Sequence, residues 1–250
     1  MSQLSALASS DQFAPESDSL GSSGPVDSGL YDADITMAFI QKSKGGALGV
    51  TLHAQLGNRE HRETIYVTSG DAKGNKTYYE KDGKQFPLPG FQLMTSICLL
   101  TVGKELNQID TEQKVVKLYS RDAGGEVPTQ VDMLTPLLGQ KIKLGLIKQI
   151  EDKNQFVEGQ GYLPTGETRE LNVIDKAFRA ADNMTVAEIY AQATDAEFFR
   201  LWADKWAGET RNRAKGASNS AGASGMPGGV AAGAQQAAQQ GGGQRKSLFG

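Results

Sequence analysis

Apolar and polar residues alternate with a period of two along Tyr31, Ala33, Ile35, Met37 and Phe39, with Asp32, Asp34 and Thr36 between them. That period predicts a strand with one buried face. A polar turn around Gly45 and Gly46 follows. A second alternation then places Leu48, Val50, Leu52, Ala54 and Leu56 on one face, and a third strand is expected over 62–68. The polar stretch after it carries an Asp-Gly turn signal at Asp82 and Gly83 and ends at Pro87 and Pro89. Over 91–103 the period changes: Leu93, Ile97 and Leu100 fall at i, i+4 and i+7, a helix that Gly103 stops. Residues 115–120 read as a fourth strand and 141–150 as a fifth, with a turn at 135–140 between them.

Three strands, a helix and two strands is the element order of the OB-fold, a five-stranded, partly open barrel. The absence of strand–helix–strand alternation also favours antiparallel pairing. The expected class is therefore mainly β: an OB-like five-stranded barrel with additional C-terminal helices and disordered N- and C-terminal tails. Residues 154–178 read as a hairpin-rich extension, followed by helices over 185–193 and 195–209. Thr185 and Glu188 form a capping box. Phe198, Leu201, Trp202 and Trp206 fall on one helical face, which reads as a stripe docking onto the barrel. Periodicity vanishes from Ala207, and 214–243 is Gly-, Ala- and Gln-rich low complexity. The expected division is a flexible arm over 1–29, a domain over 30–208 and a disordered tail over 209–250.

Charge adds a constraint. The net charge is -3, yet residues 1–29 hold four carboxylates and no cation, and 209–250 hold five cations and one carboxylate. The body is acidic, so nucleic-acid binding has to rest on local patches. Cys98 is the single cysteine, which excludes a disulfide framework and a cysteine-rich zinc site. No apolar run approaches the ~20 residues of a membrane span, and the opening MSQLSALASSDQF has no basic stretch before its apolar residues. A soluble protein of a reducing cytoplasm is expected, with no membrane partner.

Catalytic hardware is sparse. His53 and His61 are the two histidines, and no HExxH, CxxC, Walker A, GxSxG or GxGxxG pattern accompanies them. Asp71 and Asn75 lack the ligand order of a calcium loop. Asp32 and Asp34 read as solvated charge on a strand's outer face. No enzyme activity, no cofactor and no metal are expected.

Aromatic and basic residues, by contrast, are interleaved. Single-stranded DNA is held by cations that follow its phosphates and flat rings that stack on its bases. Lys73, Lys76, Tyr78, Tyr79, Lys81, Lys84 and Phe86 crowd the polar excursion, and Lys42 and Lys44 flank the Gly45–Gly46 turn. In an OB-fold that turn rims the face of strands two and three, where Tyr66 and His53 could lie. Lys141, Lys143 and Lys148 on the fifth strand complete the candidate set.

The segment GLYDADITMAFIQKSKGGALGVTLHAQL resembles the first hairpin of phage-encoded single-stranded-DNA-binding proteins. ETIYVTSGDAKGNKTYYEKDGKQFPLPGFQLMTSICLLTVGKEL resembles their third strand, long loop and helix. KVVKLY, EVPTQVDMLTPLLGQKIKLGLIKQ and YLPTGETRELNVIDKAF extend the likeness over roughly 29–206. The resemblance implies an OB-fold, sequence-tolerant binding of single strands, and work in viral DNA replication, recombination and repair in the host cytoplasm. It leaves room for a homo-oligomer and for phage replication or recombination proteins as partners through the C-terminal tail. It also implies an acidic tail end, whereas GGGQRKSLFG is basic. Two other readings compete: a strand-annealing or recombination-mediator protein, and a structural virion protein with no affinity for DNA.

Overall fold

The computed structural model describes residues 24–120, 123–157 and 161–215. It is mainly β. An eight-stranded sheet is built from β1 (Gly29–Lys42), β2 (Leu48–Leu56), β3 (Arg59–Tyr66), β6 (Glu112–Ser120), β7 (Gly125–Met133), β8 (Lys141–Val157), β9 (Gly161–Arg179) and β10 (Thr210–Asn212). A separate two-stranded hairpin joins β4 (Tyr78–Lys81) to β5 (Lys84–Pro87). The helices are α1 (Pro89–Val102), α2 (Val186–Tyr190) and α3 (Glu197–Trp206).

β1 organises the sheet. One edge pairs antiparallel with β2 from Asp34 to Lys42. The other pairs with β8 from Gly29 to Asp34 and with β7 at Phe39. A register shift between Ile35 and Met37 changes which residues face inward. Ala33, Ile35 and Ala38 join the main core, whereas Met37 and Phe39 turn to the other face. Simple alternation puts all five odd positions on one face, so the bulge corrects that reading: one extra residue inverts everything beyond it. Val50, Leu52, Ala54 and Leu56 do share the interior with Met94, Ile97, Cys98 and Leu100 of α1. Gly103 takes a left-handed conformation (φ 69°) and caps α1 by donating its N–H to Leu99 O.

The sheet has eight strands where five were expected, and its hydrogen-bonded ladders do not close into a barrel. At the gap between β3 and β9 a side chain bridges instead, with Ile174 N–H donating to Glu63 Oε2 at 2.7 Å. The unforeseen β7 has alternating Val127, Val131 and Met133 but is interrupted by Pro128, which demotes a strand reading. Its hairpin with β6 lays Val116, Leu118, Val131 and Met133 over Phe39 and Met37, a second small core.

The helical stripe docks as expected, in a different phase. Trp202 is buried with Ile147 and Phe178, and Phe199 and Trp206 pack beside it. Phe198 and Leu201 are exposed, so the buried face runs i, i+3, i+7 from Phe199.

Both tail boundaries shift. Of the 1–29 arm, residues 24–29 are tied in: Val26 N–H donates to Asn172 Oδ1, and Asn172 Nδ2 donates to Val26 O, both at 2.8 Å. Residues 1–23 lie outside the described residues. Of the 209–250 tail, β10 pairs parallel with β8 at Lys148–Ile150. Arg211 bonds Asp175 and Gln149, each at 2.9 Å, and Ser28 Oγ donates to Glu209 O at 2.5 Å. A chain ending at residue 208 should therefore melt lower, because Asp175 loses its cation in a half-buried position. The cost is about 1.5–3 kcal/mol, the range for a hydrogen bond to a charged group. A chain ending at residue 215 should melt like the whole protein. Equal melting temperatures for the two truncations would show that β10 contributes nothing.

Candidate nucleic-acid interface

The turn after β1 and the loop after β3 interlock. Asp71 N–H donates to Gly45 O at 2.9 Å, and Leu48 N–H donates to Thr68 Oγ1 at 2.8 Å. Gly46 adopts φ 79°, and any side chain there would meet the Asp71 carboxylate, so only glycine lets the two loops dock. Exposed Lys42 and Lys44 are thereby brought beside exposed Lys73 and Lys76.

The Asp82–Gly83 signal makes a tight turn, with φ 52° and 71°. It folds β4 on β5 so that Tyr79 pairs across with Phe86. Their rings stack, centroids 5.6 Å apart and planes 23° from parallel. Tyr79 nonetheless keeps 48% of its surface exposed, so it presents π-surface to solvent. The Lys76 ammonium sits 5.3 Å from the centre of the half-buried Tyr78 ring and 3.4 Å from Glu80. Lys84 is exposed on the same hairpin.

Tyr66 ends β3 with 47% of its surface exposed. Gly49 lies opposite it on β2, and a Cβ there would fall 3.1 Å from Tyr66 Cδ1. The missing side chain lets the ring lie close over the strand with part of its surface open. Beside it, Thr51 Oγ1 donates to Gln41 Oε1 at 2.8 Å and shares a 2.8 Å hydrogen bond with Thr64. This polar outer floor went unread in the sequence, although the alternation in β2 and β3 puts those positions opposite the core.

His53 does not join this cluster. It is buried (8% exposed), bonded through Nδ1 to Glu60 at 3.0 Å, with its ring 6.1 Å from that of Phe39. Burial holds its pKa below the ordinary value, only partly opposed by Glu60, which favours the neutral ring. His53 is a packed, hydrogen-bonded residue of the sheet.

Lys141, Lys143 and Lys148 lie elsewhere as well, each beside a carboxylate. Lys141 is 3.0 Å from Asp34, Lys143 3.3 Å from Asp32, and Lys148 3.2 Å from Glu170. Lys143 also rests 5.3 Å from the centre of the Phe199 ring on α3. Asp32 is ten residues from Lys42 along β1, about 33 Å of strand. The β1–β2 turn with Lys42 and Lys44 thus docks on the loop that carries Lys73 and Lys76, and the separate β4–β5 hairpin with Tyr78, Tyr79, Lys84 and Phe86 follows that loop, whereas Lys141, Lys143 and Lys148 stand on β8.

A cavity of about 490 Å³ between α1, α2 and β9 contains none of these residues. It carries Glu105 and Asp175 against Lys176, a poor lining for a phosphate backbone. Burial pushes the Cys98 thiol up to about 12, which leaves it without thiolate character. Among the described residues no group of three or more His, Cys, Asp or Glu could hold a metal ion. No described helix is long and apolar enough to cross a membrane. The chain matches no known family model and no curated protein.

Proposed function

We propose that this chain binds single-stranded DNA without strong base preference, on an OB-like scaffold, and protects it during viral DNA replication, recombination and repair. The observation that carries the reading is the cluster at the β1–β2 turn. Tyr66 at the end of β3 and Tyr79 on the β4–β5 hairpin expose nearly half their surfaces, and exposed Lys42, Lys44, Lys73 and Lys84 stand on that turn, the loop docked on it and the hairpin that follows. Rings stack on any base and ammonium groups follow any phosphate, so the arrangement is tolerant of sequence. The OB-like part rests on three features. α1 follows the third strand of the large sheet, after the β4–β5 hairpin inserted between them, β1 is shared between β2 and β8, and the β3 and β9 edges approach closely enough for Glu63 to bridge them.

The cluster's charge is modest: residues 69–88 hold four lysines against three carboxylates, and Lys42 and Lys44 add two cations. Stacking should therefore carry a large share of the affinity, with a shallow salt dependence. Each phosphate neutralised contributes a log–log slope of about -0.7 on single strands. Titrating oligothymidine and a duplex of equal length across salt concentrations tests this. Tighter binding of the single strand, with a slope of only a few phosphates, is expected. Equal affinity for the duplex, or no binding at low salt, defeats the proposal.

A further inference from the structure

Tyr119 and Val115 are the most exposed large apolar side chains described, at 72% and 70%. Both stand on β6, with Lys117 between them at alternate positions, so all three share the solvent face of the β6–β7 hairpin. The opposite face is occupied, because Val116 and Leu118 pack toward Phe39. A strand that already has its core gains nothing in stability from three such residues in water.

Their position gives them a role. Tyr119 pairs across the hairpin with Glu126. The pKa of Arg62 on β3 is raised first by its hydrogen bond to Glu60 and further by the charges of Glu60 and Glu126. The hairpin packs on Met37 and Phe39, whose β2 partners His53 and Thr51 pair in turn with Arg62 and Thr64 of β3, so it lies on the side of the sheet that carries Arg62, Thr64 and Tyr66. Tyr66 is four residues from Arg62, about 13 Å along the strand. Tyr66 and the hairpin that carries Tyr119 thus lie on one side of the sheet, along the strip of β3 from Arg62 to Tyr66.

We infer that the β6–β7 hairpin is a second contact for single-stranded DNA, in which Tyr119 stacks on a base and Lys117 meets a phosphate. This rests on the reading of the Tyr66–Tyr79 cluster and extends it: a strand stacked on Tyr66 runs along the strip and leaves over the hairpin. Glu126, which pairs across the hairpin from Tyr119, opposes the backbone there, so Glu126→Gln should tighten binding.

Oligothymidines of about 4 and about 16 nucleotides separate the two contacts, since OB-type site sizes span that range. Tyr119→Ala combined with Lys117→Ala should weaken binding of the long oligonucleotide about tenfold and leave the short one unchanged. Tyr119→Phe, which keeps the ring, should bind like the wild type. Unchanged melting of each variant separates lost contact from lost fold. If the wild type binds and the double variant binds equally well at both lengths, the hairpin inference falls alone. If the wild type binds neither length, both readings fall.

Discussion

Trp202→Ala should lower stability by about 3–5 kcal/mol, the range for emptying a large aromatic site in a core, while leaving single-strand affinity nearly unchanged. Trp202 is 3% exposed. Its ring meets Phe178 edge-on at 6.3 Å and its indole N–H donates to Asp175 at 2.9 Å. Beneath it is Gly145, where a Cβ would fall 2.8 Å from Trp202 Cζ2. The bare backbone of β8 is thus the floor on which α3 sits. Removing the indole empties that site and leaves Asp175 without one of its donors. The complementary change gives a sharper check. Gly145→Val should destabilise the wild type by overpacking but cost less in the Trp202→Ala background, where the space is vacant. Thermal melting of the four proteins measures this coupling. Additive effects would show that the ring and the glycine do not share that space.

The same region shows why some elements were legible and others were not. β2 coincides with its expected span, and α1 with its expected helix to within two residues, because strong periodicity over many positions outweighs local noise. The α3 stripe was legible as a docking face, but Phe198 and Phe199 are adjacent and both aromatic. Composition could not say which one turns inward. β10 spans three residues, Thr-Arg-Asn, with no apolar member. It is held by Arg211 reaching Asp175, 36 positions away in the chain, a contact without local signature. The bulge in β1 likewise leaves no mark in residue type, yet it decides where Met37 and Phe39 point.

For the candidate site, residue chemistry was visible and pairing was not. Lys141 and Lys143 look like free cations in the sequence. Only the β1–β8 register sets them opposite Asp34 and Asp32, acids that read as solvated in the sequence. Alternation puts His53 on the face opposite the core but does not tell whether another element covers that face. Here the β6–β7 hairpin packs at Phe39, whose ring neighbours His53. The loop cluster was more legible because glycines and an Asp-Gly pair mark its turns by local conformational demand.

Tyr66→Ala combined with Tyr79→Ala should weaken binding of single-stranded DNA by on the order of 100-fold, since each stacked base contributes ~1–3 kcal/mol. Both rings are about half exposed, so their loss should shift melting far less than Trp202→Ala does. The comparison that gives the result meaning is Lys141→Gln, Lys143→Gln and Lys148→Gln together. These lysines already have carboxylate partners within 3.3 Å, and removing their charge should change affinity by no more than a few-fold. If the triple lysine variant loses binding and the double tyrosine variant keeps it, the nucleic acid follows β8 and α3 instead of the β1–β2 turn. If both lose it, the binding path runs along β1 from Asp32 to Lys42, about 33 Å. The expected split follows from a physical asymmetry. A cation paired across strands must give up its partner before it can meet a phosphate, whereas a ring with open surface gives up only water.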